Sequence, residues 1–157
     1  MGSRIAILFI LAGCATVPHD PDEPVLVSGQ GYRGVILPLS ATQEELYLGA
    51  ESYWVPSAEQ VRAMEERLPS FLLREKQDEL SGKVALYYRQ YIGITINGRR
   101  LIYGNFIHNT AWKESLEDGV DYHRHMMMVD DGGAWFFQVE YDVETEAFVE
   151  LGINGVA

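Results

Sequence analysis

Residues able to do chemistry gather in one stretch, "YHRHMMMVDDGGAWFFQVEYD" (122–142). His123 and His125 lie one residue apart and run into Met126, Met127 and Met128. Imidazole nitrogen and thioether sulfur are ligands for soft transition metals, copper above all. On a β-strand, side chains two positions apart share a side and stand about 7 Å from one another. His123, His125 and Met127 would then form a ligand row. A second use of the same strand needs no metal. Glu140 would face His123 across a hairpin and pair with it when the imidazole is protonated.

Catalytic signals are weaker. The sequence contains no G-x-S-x-G, no H-E-x-x-H and no phosphate-cradling glycine loop. His108 could serve as a general base, but neither a nucleophile nor an orienting acid lies near it in sequence. Asp130 and Asp131 fall where a turn wants aspartate for backbone reasons. Glu65-Glu66 and Asp78-Glu79 read as parts of a solvated helix face. The expectation is a non-catalytic protein without a cofactor, with copper as the alternative.

The elements that must position these residues follow from period and punctuation. Residues 57–79 carry a helical stripe: Val61, Met64, Leu68, Phe71 and Leu72 recur at spacings of three and four. Ser57 and Gln60 make a capping box in front of it. Pro69 interrupts the stripe, so a kinked helix or two short helices (57–67 and 69–79) are expected. After residue 83 the period becomes alternating. Asn97-Gly98 and Asp131-Gly132 are two-residue hairpin turns, and "DVETE" (142–146) closes a third hairpin. Turning at Asn97-Gly98 sets Ile96 opposite Arg99, Ile94 opposite Leu101 and Ile92 opposite Tyr103. Turning at Asp131-Gly132 sets Met128 and Met126 against Trp135 and Phe137, as core, and sends His123, His125 and Met127 to the other face. At the third hairpin, Val149, Leu151 and Ile153 face the core and Phe148 faces out.

The resulting expectation is an α+β fold, with the helical segment packed on a four-stranded antiparallel meander. One face of that sheet carries Arg89, Tyr91, Phe106, Phe136 and Phe148, more apolar than a wetted face would be. Either residues 25–54 cover it, or it is a binding face for an envelope protein, a peptide or an apolar ligand. Asp130 and Glu140 are candidate ion-pair partners for Arg89.

The N-terminus speaks to location. Arg4 precedes an apolar run, Ile5 to Leu11, too short to anchor in a bilayer. It ends in "LAGC", Leu11 to Cys14, which resembles the lipobox of bacterial lipoproteins. That resemblance implies a signal peptide over residues 1–13, cleavage after Gly13 and lipid attachment at Cys14, the only cysteine in the chain. Residue 15 is Ala rather than Asp, so the resemblance further implies the outer membrane, periplasmic face. Residues 14–24 would be the acylated cysteine and an extended tether rich in proline and acid. Residues 25–157 would be a single α+β domain. In outline this order resembles small cystatin-like and PepSY-like domains, and the phrases around 87–106 and 131–157 resemble small bacterial envelope proteins without an assigned activity.

Net charge excludes some partners. The chain carries −11 in formal charge, from 12 basic and 23 acidic residues. Such a surface disfavours nucleic acid and anionic lipid headgroups. Membrane attachment would run through the N-terminal lipid alone. The expected role is a binding or accessory module of the envelope, with copper binding or inhibition of a hydrolase as alternatives.

Overall fold

A computed structural model of the chain describes residues 20–43 and 49–155. Gly13, Cys14 and most of the expected tether lie outside the described residues. The architecture is α+β, and the described residues hold three helices and one mixed sheet of seven strands rather than the four expected. In chain order the strands are β1 (Val25–Gly29), β2 (Tyr32–Ile36), β3 (Ser52–Trp54), β4 (Tyr87–Ile96), β5 (Arg99–His108), β6 (Phe136–Asp142) and β7 (Ala147–Ile153). The helices are α1 (Ala58–Arg74), α2 (Asp78–Lys83) and α3 (Asn109–Ser115). Across the sheet the order is β1-β2-β4-β5-β6-β7, with β3 also paired to β4. All neighbours are antiparallel except β2 and β4. The extra strands come from the segment expected to lie across a face. It extends the sheet sideways instead.

Local signals explain the central elements. Helix α1 opens with the Ser57–Gln60 capping box, both reciprocal bonds in place. It buries Val61, Met64, Leu68, Phe71 and Leu72, each worth about 1.5–3 kcal/mol when removed from water. The helix runs through Pro69 without restarting, a correction to the two-piece expectation. Proline costs one amide bond, to Glu65, and the apolar stripe on both sides outweighs that loss. Asn97 and Gly98 both have positive φ, 51° and 72°, as a type I′ turn requires. The β4–β5 register is the expected one.

Two layers cover the sheet. On one face α1 packs on Tyr91, Ile102, Phe106, Phe137, Val139 and Tyr141. On the other, Val35, Leu37, Ile92, Ile94, Leu101 and Phe136 are covered by Trp112 of α3, Met126 and Met127. Glycine permits two close approaches. A Cβ at Gly34 would sit 2.3 Å from the Arg89 carbonyl oxygen of the parallel neighbour β4. One at Gly93 would sit 2.2 Å from the Trp54 ring. That ring lies flat on β4 and carries the Arg100 guanidinium 3.9 Å above it.

The expected turn at Asp131-Gly132 does not form. Residues 121–132 contain no strand, and β6 begins only at Phe136, after a short 3-10 turn over Gly133–Trp135. Asp131 lacks the positive φ that a type I′ turn at Asp131-Gly132 requires; the positive values fall on Gly132 and Gly133, 94° and 57°. At the last hairpin, Glu140 pairs with Glu150 but Tyr141 pairs with Phe148, so Val149 is an extra residue. This bulge reverses the alternation. Phe148, not Val149, joins Leu151 on the α1 face.

Candidate functional site

Four of the five residues expected on a binding face lie inside the protein, three of them beneath α1. Arg89 is 1 % exposed, and Tyr91 and Phe106 are fully buried beneath α1. The partner of Arg89 is neither Asp130 nor Glu140. It is Glu65 of α1, at 3.4 Å, another buried residue and not part of a solvated face. Tyr91 donates its hydroxyl hydrogen to the other Glu65 oxygen at 2.9 Å. The guanidinium also donates to the carbonyls of Tyr87 and Gly31, and lies 5.3 Å from the Phe106 ring centre. Its Nε has no acceptor among the described residues. Burial raises the Glu65 carboxyl above the ordinary carboxylate range, against the opposing pull of Arg89 and Tyr91. Burial, then the Glu65 charge, pushes the Tyr91 phenol well up. Glu65 borders a cavity of about 210 Å³ under the β1–β2 turn. Both of its oxygens are already engaged, so the cluster braces α1, β4 and that turn together.

Phe136 and Phe148 part company. Phe136 belongs to the second core, while Phe148 stacks on Phe71 of α1 at 4.3 Å. The five side chains therefore do not form one surface.

Nor do His123, His125 and Met127 form a ligand row, because the strand that would align them is absent. Their segment crosses the sheet over a row of strand amides. Gln90, Asn105 and Gln138 are register partners on β4, β5 and β6, and Asn154 follows β7. Gln90 donates to the carbonyls of Tyr122 at 2.7 Å and His125 at 2.8 Å, and accepts from the Met127 amide at 2.8 Å. Asn105 donates to the Met127 carbonyl at 2.8 Å. Asn154 donates to the carbonyls of Val129 and Asp131. Met126 and Met127 are buried, whereas Met128, expected in the core, is 56 % exposed. His123 sets Nε2 3.1 Å from the Tyr88 hydroxyl and Nδ1 3.5 Å from Asp121. It does not meet Glu140, whose neighbours are Tyr103 and Glu150. Among the described residues no group of three or more His, Cys, Asp or Glu could hold a metal ion.

A surface groove remains open. It lies on the α1 side of the sheet, where the helices stop short of β7. One part, about 410 Å³, is lined by Phe71, Arg74, Phe148 and Leu151 among others. The next, about 340 Å³, is lined by Lys83, Tyr87, His108, Trp135 and their neighbours. Gln77 and Ile153 border both, so the two parts adjoin. Trp135 is 48 % exposed and stacks on His108, with ring centres 5.4 Å apart. His108 stands edge-on to Tyr87, whose hydroxyl donates to the Ala134 carbonyl at 2.7 Å. His108 Nδ1 accepts the Thr110 amide, capping α3, and so orients the ring. Burial raises the Tyr87 phenol above its ordinary value, which keeps it a neutral donor.

No protein-family profile, curated protein or solved structure matches this chain.

The groove sets aromatic and apolar side chains beside a comparable share of polar groups, a mixture that a binding site can use. Four of the rim ions pair with one another, Lys83 with Glu79 at 2.6 Å and Arg74 with Glu75 at 3.5 Å. Sequence reading missed this site because it placed Trp135 in the core, opposite Met128. The Gly132-Gly133 pair was the signal against that placement, since consecutive glycines weaken a strand.

Proposed function

We propose that this chain is an outer-membrane lipoprotein, anchored through Cys14 on the periplasmic face, that acts by binding rather than catalysis. The groove beside β7 is its binding surface. One observation carries the binding reading. Both sheet faces are covered elsewhere, yet at this end Trp135, Ile153 and Val149 stay exposed around two adjoining grooves that mix apolar and polar surface. Exposed aromatic residues beside a trough are what recognition uses, because they offer large apolar area at low entropic cost. The anchor rests on "LAGC" closing a short apolar run. No described helix is long and apolar enough to cross a membrane, so attachment in this reading needs the lipid. The test is Cys14→Ser in a bacterial host. The native chain should lose residues 1–13, gain the mass of a diacylglyceryl group and an acyl chain on Cys14, and sediment with outer membrane, and the variant should lack the lipid mass and that sedimentation. Unchanged mass and fractionation in the variant would sink the lipoprotein reading.

A further inference from the structure

We propose that the outer edge of β7 accepts an extended peptide as an eighth strand, with an apolar–basic–apolar core. This rests on the binding role assigned to the groove. β7 ends the strand order, so one side of its backbone has no strand partner among the described residues. Sheet edges are usually blunted by lysine, proline or a bulge. The β7 sequence, Ala147–Ile153, contains neither lysine nor proline, and its bulge at Val149 leaves Glu150–Ile153 regular.

The two faces of β7 dictate what an added strand must carry. Leu151 and Ile153 point to the α1 face, with Phe148 beyond the bulge, and form the side of the groove. Glu150 points to the opposite face beside Glu140. Paired strands put opposite residues on the same face. The peptide residue opposite Glu150 therefore meets its carboxylate, while the residues on either side of it turn into the trough. Among the described residues the Glu150 carboxylate has no ion pair or hydrogen bond. Its like-charged cross-strand neighbour, Glu140, is raised above the ordinary range, first by burial and then by Glu150, with Arg99 pulling the other way. A lysine or arginine placed there relieves the repulsion. A second copy of this chain fits less well: each copy carries −11, and a symmetric pair centred on Glu150 would set that carboxylate against its twin.

The experiment uses the full lipoprotein in detergent micelles and a capped peptide of threonine, valine, lysine, valine and threonine. Two controls replace the lysine by glutamate or the second valine by proline. Saturating peptide should slow amide exchange across Glu150–Ile153, and the proline control should not. Glu150→Lys lies on the surface, and it should weaken the lysine peptide about tenfold or more while admitting the glutamate peptide. Lysine-peptide binding indifferent to Glu150→Lys, or binding without protection of β7, overturns the proposal. If Trp135 fluorescence still responds to the peptide, the groove survives as a site and only the added strand is lost. Protection of β7 that grows with protein concentration and no peptide also overturns it, in favour of a second copy.

Discussion

Two carboxylates in this fold are shifted in opposite directions, and each direction has a consequence for stability. Asp142 accepts the Thr145 and Glu144 amides and pairs with Arg99 at 2.6 Å, so its carboxyl is held below the ordinary range, chiefly by the Thr145 bond. Its contribution is present above the ordinary aspartate pKa and is lost as pH falls through the lowered one. Glu65 behaves in reverse. Its raised pKa means that the folded state favours the protonated form, so that contribution is complete below the ordinary glutamate pKa and is lost as pH rises through the raised value. Urea unfolding of Asp142→Asn and Glu65→Gln across this range tests both signs. The gap between native and Asp142→Asn should widen as pH rises from strongly acid values. Relative to Glu65→Gln, the native chain should lose stability over its own window; a flat difference would show that Arg89 fully compensates burial. Removing Arg89 alone is the harsher change. Arg89→Met strands Glu65 and should cost about 3–5 kcal/mol, while Glu65→Leu with Arg89→Met should recover most of that.

At the element scale, the segment that crosses the amide row depends on three of its side chains, Gln90, Asn105 and Asn154, rather than on a ladder of its own. Gln90 alone serves three of its backbone groups. Gln90→Met keeps the volume and removes those partners. Each orphaned group costs about 1–3 kcal/mol if it stays buried. The amide of Met127 should then exchange far faster, while β4 and β5 amides keep their protection; unchanged exchange at Met127 would mean that packing alone fixes the segment. The same contrast explains what was legible from residues alone. Helix α1 and the β4–β5 hairpin are specified locally, by a cap, a stripe and an Asn-Gly turn, and both form with the expected register. The stretch at 121–132 is specified by partners far away in sequence, 37 residues for Gln90 and Met127 and 102 for Asp22 and Arg124, and alternation of residue type does not report them. Glu65 shows a subtler case. It sits one residue after Met64 and three before Leu68, at the margin of the buried stripe, so its charge suggested solvent while its position put it inside. The candidate site was the least legible part, since a groove exists where elements end, and its residues come from α1, α2, β4, β5 and β7 at once.

The whole molecule is one sheet with a core on each face, and this arrangement decides how it unfolds. Strands β4, β5 and β6 supply side chains to both cores, so neither layer can melt without uncovering the backs of strands that the other still needs. Leu68 lies in the α1-side core and Ile94 in the opposite one, both fully buried. Leu68→Ala and Ile94→Ala should each cost about 2–5 kcal/mol through lost burial and the cavity left behind. Both should move one and the same transition. Three tryptophans watch different places: Trp112 the second core, Trp54 the β3 edge and Trp135 the groove. Fluorescence and far-UV circular dichroism should therefore give coincident urea curves in the native chain and in both variants. Curves that separate only in Leu68→Ala would mean that the helical layer detaches from a standing sheet. The Glu65–Arg89 brace opposes that outcome, because it binds α1 to β4 inside the core instead of at its rim.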